Sequence, residues 1–415
     1  MFDIEAKYWD EMYRFLKDEI KVRQPVSGTQ LEYGSTHAQA KMDYCDIHSY
    51  WNHPNFPGRQ WDGNNWYLRN IALVNHLDNK ILPNLATKRV YGKPFTVSEY
   101  NHPYPNQYAA EGLPLLAAFG AFQGWDGIFP FAYSHSNNAE PKKATSFFDT
   151  AGNTVQMAHM IACHALFCDG YNNDADKDIV VAPLTAEKER EIFKQNRNQY
   201  RFGFSGLGLD IRHALTKPVA VDVSGKIKEL PKLPEIPKEQ KKFEYPASGK
   251  GEMLIWYDMQ QQGKGFVSTI NKGAALFTGF VTEGNEYPFA VGTIQFGKTN
   301  LGWSTVSMTT LSATKYSEKF LLVATGEMTN TDMKLESLGD DKVTVGNRWG
   351  REPVCCEGIS AKITFNGLAK TVKFWSLDES GNRKQELTPQ KTYKRFTLEL
   401  KPEYKTIWYE LEINL

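Results

Sequence analysis

The chain carries no surplus of charge. Its 48 basic and 48 acidic residues cancel over 415 positions. Binding to nucleic acid needs a basic surface that displaces counterions from phosphates, so this balance argues against a nucleic-acid partner. It argues equally against adhesion to an anionic membrane through bulk charge. No hydrophobic run reaches the ~20 residues of a spanning helix, so no membrane partner is expected. The first residues, Met1 to Glu5, lack a basic stretch followed by an apolar one, so no signal peptide is expected. Cysteine is scarce: Cys45, Cys163, Cys168, Cys355 and Cys356 are an odd set. Their spacing fits neither a disulfide framework nor a zinc site, and no metal site is expected. Cys163 and Cys168 read as small apolar fillers on a helix. Cys355 and Cys356 are neighbours in a strand-like run and should face opposite sides of a sheet. All five are expected to be buried, inert thiols.

Aromatic residues, by contrast, are plentiful at 13%, with 10 Trp and 20 Tyr. A large core absorbs many of these. The excess also suits carbohydrate, whose flat C–H faces stack on indole and phenol rings. The length suits two or three domains.

Hydrophobic periodicity divides the chain. From residue 1 to about 185, helices alternate with strands. Helices are expected over 2–20, 64–82, 113–122 and 154–167, and strands over 22–28, 44–50, 94–100 and 124–133. Such alternation means parallel strands with crossover helices. From about 186 the helical patterns mostly stop. A β-rich connector (186–250) contains the proline-rich stretch Leu230 to Pro237, expected to run extended or to wrap the domain. Short runs rich in Val, Phe, Thr and Tyr then recur to the end, the pattern of an antiparallel β-sandwich over 251–415, in one domain or two. The expected fold class is therefore α/β plus all-β.

Polar and aromatic residues gather just after the expected strands, where a (β/α) barrel builds its active site. Glu99 ends one of them. A carboxylate there is costly to desolvate unless it has a role or partners. His48 and Tyr50 alternate onto one side of the preceding strand and can hold that carboxylate ionised and aimed. Trp51 follows directly. Trp125 can form an aromatic floor or belong to the core. Asp126, Asn101 and His102 are candidate ligand contacts, or ordinary loop and strand-end residues.

The segments SEYNHPYPN (98–106) and EGLPLLAAFGAFQGWDGIFPFAY (111–133) resemble strands seven and eight of clan A glycoside hydrolases. MDYCDIHSYWNHP (42–54) resembles the sixth strand and VRQPVSGTQ (22–30) the fifth. The tail, with FVSTINKGAALFTGF (266–280) and VKFWSLDESGNRKQE (372–386), is more loosely similar to the sandwich region of large bacterial glycosidases. The resemblance implies a partial (β/α)8 TIM barrel, strands five to eight, over 1–185. It implies retaining O-glycoside hydrolysis of an oligo- or polysaccharide, with Glu99 as nucleophile. His48 and Tyr50 would line the site, Trp125 would lie under the sugar, and no cofactor would be needed. It also implies a secreted or periplasmic setting.

In that family the acid/base glutamate ends strand four, usually after asparagine. Here the Asn285-Glu286 pair lies deep in the sandwich region, so the acid is missing along with strands one to four. Glu32, Asp46, Glu111 and Asp126 are stand-ins only if geometry favours them. A half barrel exposes sheet edges and an uncovered face. A homodimer through the open half, or a partner chain, is one expected solution. Two other readings compete. One is a non-catalytic carbohydrate-binding or assembly protein working through Trp256, Trp303 or Trp349. The other is an α/β protein of different chemistry, with Glu99 buried against a basic partner and no cleft. The deciding geometry is whether Glu99 emerges at the mouth of parallel strands, within reach of His48 and Trp125.

Overall fold

A computed structural model describes residues 2–77, 81–169, 178–195, 203–245, 254–259, 263–367 and 369–414. The fold is mixed, with few helices and one large antiparallel sheet. Helix α1 (Phe2–Arg14) runs on into a π-helical turn, Phe15–Glu19. Strands β1 (Cys45–Tyr50), β2 (Phe95–Asn101) and β3 (Gly127–Pro130) form a three-stranded sheet in that order, parallel throughout. These strands do not close into a barrel. The period-two alternation is why the sheet has two unlike faces. Cys45, Ile47, Phe95, Val97 and Tyr100 point into the core. There they meet helix α2 (Gly112–Gln123), of which every residue is buried. Gly124 ends that helix in the left-handed conformation, φ 66°, which lets its N–H cap Ala121 and turn the chain at once into β3.

The sandwich is a single body. A nine-stranded antiparallel sheet packs on a five-stranded one, with Phe277, Leu322 and Leu411 facing Ile294, Ile363 and Leu398 across one core. The other face of the large sheet lies on the α/β unit. The central strand Ala274–Phe280 is buried at all seven positions because it is covered from both sides. Ala275 and Phe277 face the smaller sheet, while Ala274, Leu276 and Phe280 join the α/β core. Between short helices α3 (Thr154–Met157) and α4 (Met160–His164), His159 plugs into the large sheet. Its Nδ1 lies 2.8 Å from Ser307 Oγ and its Nε2 2.9 Å from Thr325 Oγ1. Burial drives its pKa down to about 3, so the ring is neutral.

An arm leaves the sandwich between 328 and 356. Its Lys342–Thr344 strand pairs with Leu68–Arg69, and Asn330 clamps both the N–H and the carbonyl of Ala144. This contact corrects the helix expected over 64–82. There, Trp66 Nε1 donates to Gly346 and the Leu73 and Val74 N–H groups donate to Glu111. The Glu111 carboxylate takes backbone N–H groups that a helix would have used, and Gly346 anchors the Trp66 indole. The expected helix 154–167 is broken by His159 into separate turns, and the strand over 22–28 carries no regular pairing. The segment 22–28 instead runs beside the sheet, with the Asp43 N–H donating to Val26 O at 2.9 Å.

The boundary expected at 185/186 is crossed by structure. Val180–Pro183 pairs parallel with Val219–Asp222, and helix Ala186–Gln195 sends Glu189 back to the Ser35–His37 segment. The proline-rich stretch does wrap the domain: the Arg212 guanidinium donates to the carbonyls of Ile236 and Pro237. The expectation of five buried thiols fails at Cys168 and Cys355, which are exposed, one at the end of a helical turn and one on an outer strand face.

Candidate functional site

The site is built by a slip in the sheet. Ile47 pairs with Val97, but the next residue, His48, pairs with Glu99. One extra residue on β2 forms a β-bulge, and bulges re-aim side chains. Between core-facing Val97 and Tyr100, both Ser98 and Glu99 therefore turn toward the open side, facing His48 and Tyr50.

A hydrogen-bond chain joins these groups. Tyr50 OH donates to Glu99 Oε2 in a very short contact, and His48 Nδ1 lies 3.1 Å from the same oxygen. His48 Nε2 lies 2.8 Å from Ser98 Oγ, which donates its proton to Asp46 Oδ2 at 2.6 Å. Thr96 donates to the other Asp46 oxygen. Because Ser98 has spent its proton on Asp46, its oxygen is free to accept from His48. Burial first, then the bond to the Glu99 carboxylate and its charge, push the Tyr50 phenol well above its ordinary pKa. Tyr50 thus stays a donor to the Glu99 oxygen.

Below this cluster the open face of the sheet floors a groove of about 970 Å³. Asp46, Thr96 and Ser98 form the floor, the 23–30 segment forms one wall and Phe129 lies on the opposite rim. Above it lies an aromatic collar. The Tyr50 ring touches His53 and Phe131 at 5.8 Å and Phe148 at 5.0 Å, and exposed Trp61 lies 5.6 Å from His53.

Of the residues expected here, Glu99, His48 and Tyr50 come together. The others do not, each for a visible reason. Trp125 precedes β3, at the end of the sheet away from Glu99, and is fully buried against Phe95 and Phe119. Asp126 is at that same far end, accepting from the Phe95 N–H at 2.8 Å. Trp51 is buried, its indole donating to Ile71 O. Asn101 is buried and fully used: its amide donates to the carbonyls of Phe131 and Phe148 while its oxygen accepts from the His102 N–H and Gln156. His102 is buried beside Tyr100 OH at 3.0 Å, and burial lowers its pKa to about 3. Two things separate them from the site: Trp125 and Asp126 lie at the other end of the sheet, while Trp51, Asn101 and His102 turn into the core.

Among the stand-in acids, only Asp46 adjoins the cluster, 3.5 Å from His48 Nε2. Glu32 pairs with Lys88. Glu111 is buried in the core, where desolvation raises its pKa to about 8 against the pull of two backbone N–H donors. Sequence reasoning missed Ser98, Phe131, Trp61 and a His135–Asp149 pair. The bulge that turns Ser98 has no local sequence mark. His135 and Asp149 lie 14 residues apart in a polar loop without a motif. The stretch FPFAY, with aromatics at 129, 131 and 133, was a usable signal for Phe131.

Glu99 meets the Tyr50 phenol and the His48 imidazole, and a cleft adjoins them. Two of the alternative binding residues are packed rather than displayed. Trp303 is fully buried on Tyr108, and Trp349 stacks on Trp66 at 5.9 Å. Trp256 lies in the strand Leu254–Asp258, with its side chain outside the described residues. Among the described residues no helix is long and apolar enough to cross a membrane, and no group of three or more His, Cys, Asp or Glu is placed to hold a metal. No family model, no curated protein and no solved structure matches this chain.

Proposed function

We propose that the chain is the C-terminal half of a (β/α)8 retaining glycoside hydrolase that cleaves O-glycosidic bonds of an oligo- or polysaccharide. Glu99 is its nucleophile, attacking the anomeric carbon to give a glycosyl ester. The observation that carries the reading is the convergence of Tyr50 and His48 on one Glu99 oxygen at the C-terminal end of parallel strands, beside an open groove floored by Asp46, Thr96 and Ser98. A carboxylate held this way is fixed in place, as a nucleophile must be. The aromatic collar gives sugar rings apolar faces to stack on. One expected support is absent, since Trp125 lies in the core. Phe131, at the correct end of β3, takes the place of that aromatic.

The open groove is where a second copy of the chain, or another chain, would complete the barrel. Mass in solution tests that part. The chemistry is tested with aryl glycosides of both anomers: wild-type protein turns over at least one, and Glu99→Gln abolishes it. Oligosaccharide binding without turnover would favour a non-catalytic carbohydrate-binding protein instead.

A further inference from the structure

One end of the β-sandwich carries apolar tips set among basic side chains. Four segments meet there: the turn at 290–291, the turn at 314–317, the connection 366–371 and the turn at 392–394. Hydrogen bonds tie them together. Asn366 N–H donates to Val291 O at 3.4 Å, Gly367 N–H to Lys394 O at 2.9 Å and Lys370 N–H to Asn414 O at 2.8 Å. Ser317 pairs with Asn414 across the large sheet, and the Lys391 ammonium donates to the carbonyls of Ala369 and Lys370. Val291 is 62% exposed, Tyr316 69% and Tyr393 83%. Between the two sheets a recess of about 130 Å³ opens at this end, lined by Met308, Phe320, Phe365, Phe396 and Val291.

The charge around the recess is one-sided. Lys315, Lys370, Lys391, Lys394 and Arg395 are exposed, and the one acid in these segments is Glu318, which lines the recess. Glu410 and Glu412 on the adjoining strand are already paired, with Lys319 and Arg383. The zero net charge of the whole chain conceals this local excess. The complement is anionic, and the recess narrows its chemistry. Sugar hydroxyls need polar partners, whereas the recess offers aromatic and aliphatic carbon, which suits an acyl chain. Tyrosine rings suit the headgroup level of a bilayer, with the ring on the apolar side and the hydroxyl in water. Lysine stems lie along apolar surface while their ammonium groups reach phosphates. Apolar insertion joined to electrostatic attraction holds a protein on a membrane without crossing it.

We propose that this end of the sandwich docks on a membrane surface rich in anionic lipid, with Val291, Tyr316 and Tyr393 in the headgroup layer. The docking is local, so the balanced total charge does not oppose it. It does not depend on the Glu99 reading.

The test is sedimentation of the whole protein with vesicles of phosphatidylcholine alone, or of equal parts phosphatidylcholine and phosphatidylglycerol. The protein partitions onto the mixed vesicles and not the neutral ones, and added salt releases it. Lys315→Ala and Lys394→Ala each lower the partition coefficient roughly fivefold, the worth of one basic side chain near an anionic surface. Lys226→Ala, which removes an exposed lysine outside the sandwich, leaves it unchanged. Tyr393→Trp adds fluorescence that lipids brominated on their acyl chains quench, beyond any quenching of wild type. Absence of binding to the mixed vesicles overturns the proposal. So do undiminished binding by the Lys315 and Lys394 variants, an equal loss with Lys226→Ala, or no added quenching with Tyr393→Trp. Binding to polygalacturonate that the same two lysine variants weaken, without binding to vesicles, overturns it in favour of an acidic polysaccharide. Glycoside turnover and its dependence on Glu99 are read separately, so either proposal can fail while the other stands.

Discussion

Asn101→Asp separates a structural staple from a ligand contact. The exchange is nearly isosteric, so it opens no cavity. Asn101 Nδ2 donates to Phe131 O at 2.7 Å and Phe148 O at 2.6 Å, whereas its Oδ1 accepts from the His102 N–H at 2.7 Å and Gln156 Nε2 at 2.9 Å. A carboxylate keeps both acceptances and loses both donations. Phe148 O keeps the Ala132 N–H, so one buried carbonyl, Phe131 O, is left without a donor, at a cost of about 1–3 kcal/mol. The oxygen now facing the two carbonyls is also repelled, and the new group takes up a proton instead of carrying charge. The expected loss is roughly 2–4 kcal/mol near neutral pH, a large share of the ~5–15 kcal/mol typical of a domain. The sign with pH follows from linkage. The new carboxyl has its folded pKa raised above the unfolded value, so the folded variant binds the extra proton. The gap to wild type therefore narrows as pH falls through that folded pKa, where the neutral acid can donate to one carbonyl. Urea unfolding of both proteins from pH 8 to pH 5 measures it. Stability within about 0.5 kcal/mol of wild type, the scatter of an ordinary surface change, would refute the staple, particularly if KM rose in parallel.

Tyr50→Phe removes the donor to Glu99. A hydrogen bond to a charged group is worth about 1.5–3 kcal/mol, so kcat for an aryl glycoside should fall roughly 10–150-fold while the melting temperature barely moves. His159 and His102 are held neutral, with folded pKa values of about 3 against the usual 6.5. Their contribution is complete above pH 6.5 and is lost as pH falls toward 3, by up to roughly 4 kcal/mol per ring. Glu111 acts in the opposite sense, because its raised pKa of about 8 favours the fold at low pH and is lost as pH rises through 8. The difference between wild type and His159→Asn isolates one ring: the variant is less stable at pH 7, with a shallower acid slope in urea midpoints. Trp61 is 54% exposed beside His53. Trp61→Ala should raise KM for oligosaccharides several-fold and leave phenyl monosaccharides nearly unaffected, as steady-state kinetics will show, stacking being worth about 1 kcal/mol.

Where the sequence was legible, a period governed the residues. The strands at Cys45–Tyr50 and Phe95–Asn101 alternate core and open faces, and the unbroken apolar run of Gly112–Gln123 reads as a buried helix. The strand Ala274–Phe280 and the first part of Trp303–Ala313 show little alternation, because being covered on both faces leaves Ala, Gly, Ser and Thr without contrast. The 64–82 stretch was misread because its donors answer to Gly346 and Glu111, far away in sequence. At the site, position along the strand was legible and facing was not. Glu99, His48 and Tyr50 share an opening, yet Asn101 and Trp51, equally close in sequence, turn inward. A one-residue bulge decides that difference, and it depends on how two strands pair.

The bulge also explains why the floor of the groove and the candidate nucleophile belong to one system. Without it, Ser98 and Glu99 would point to opposite faces, and the run of donors would stop in the middle of the sheet. With it, the order Thr96, Asp46, Ser98, His48, Glu99, Tyr50 is unbroken. Every link is a hydrogen bond or close polar contact to a neighbour fixed on a strand, so the imidazole is gripped at both nitrogens and cannot rotate away from Glu99. Among the described residues, the Asp46 carboxylate meets the two hydroxyls and the ring beside it. Rigid strands, rather than loops, set the aim of the carboxylate. On the glycosidase reading proposed above, such pre-organisation lets the Glu99 carboxyl group meet an anomeric carbon without first reorganising its surroundings.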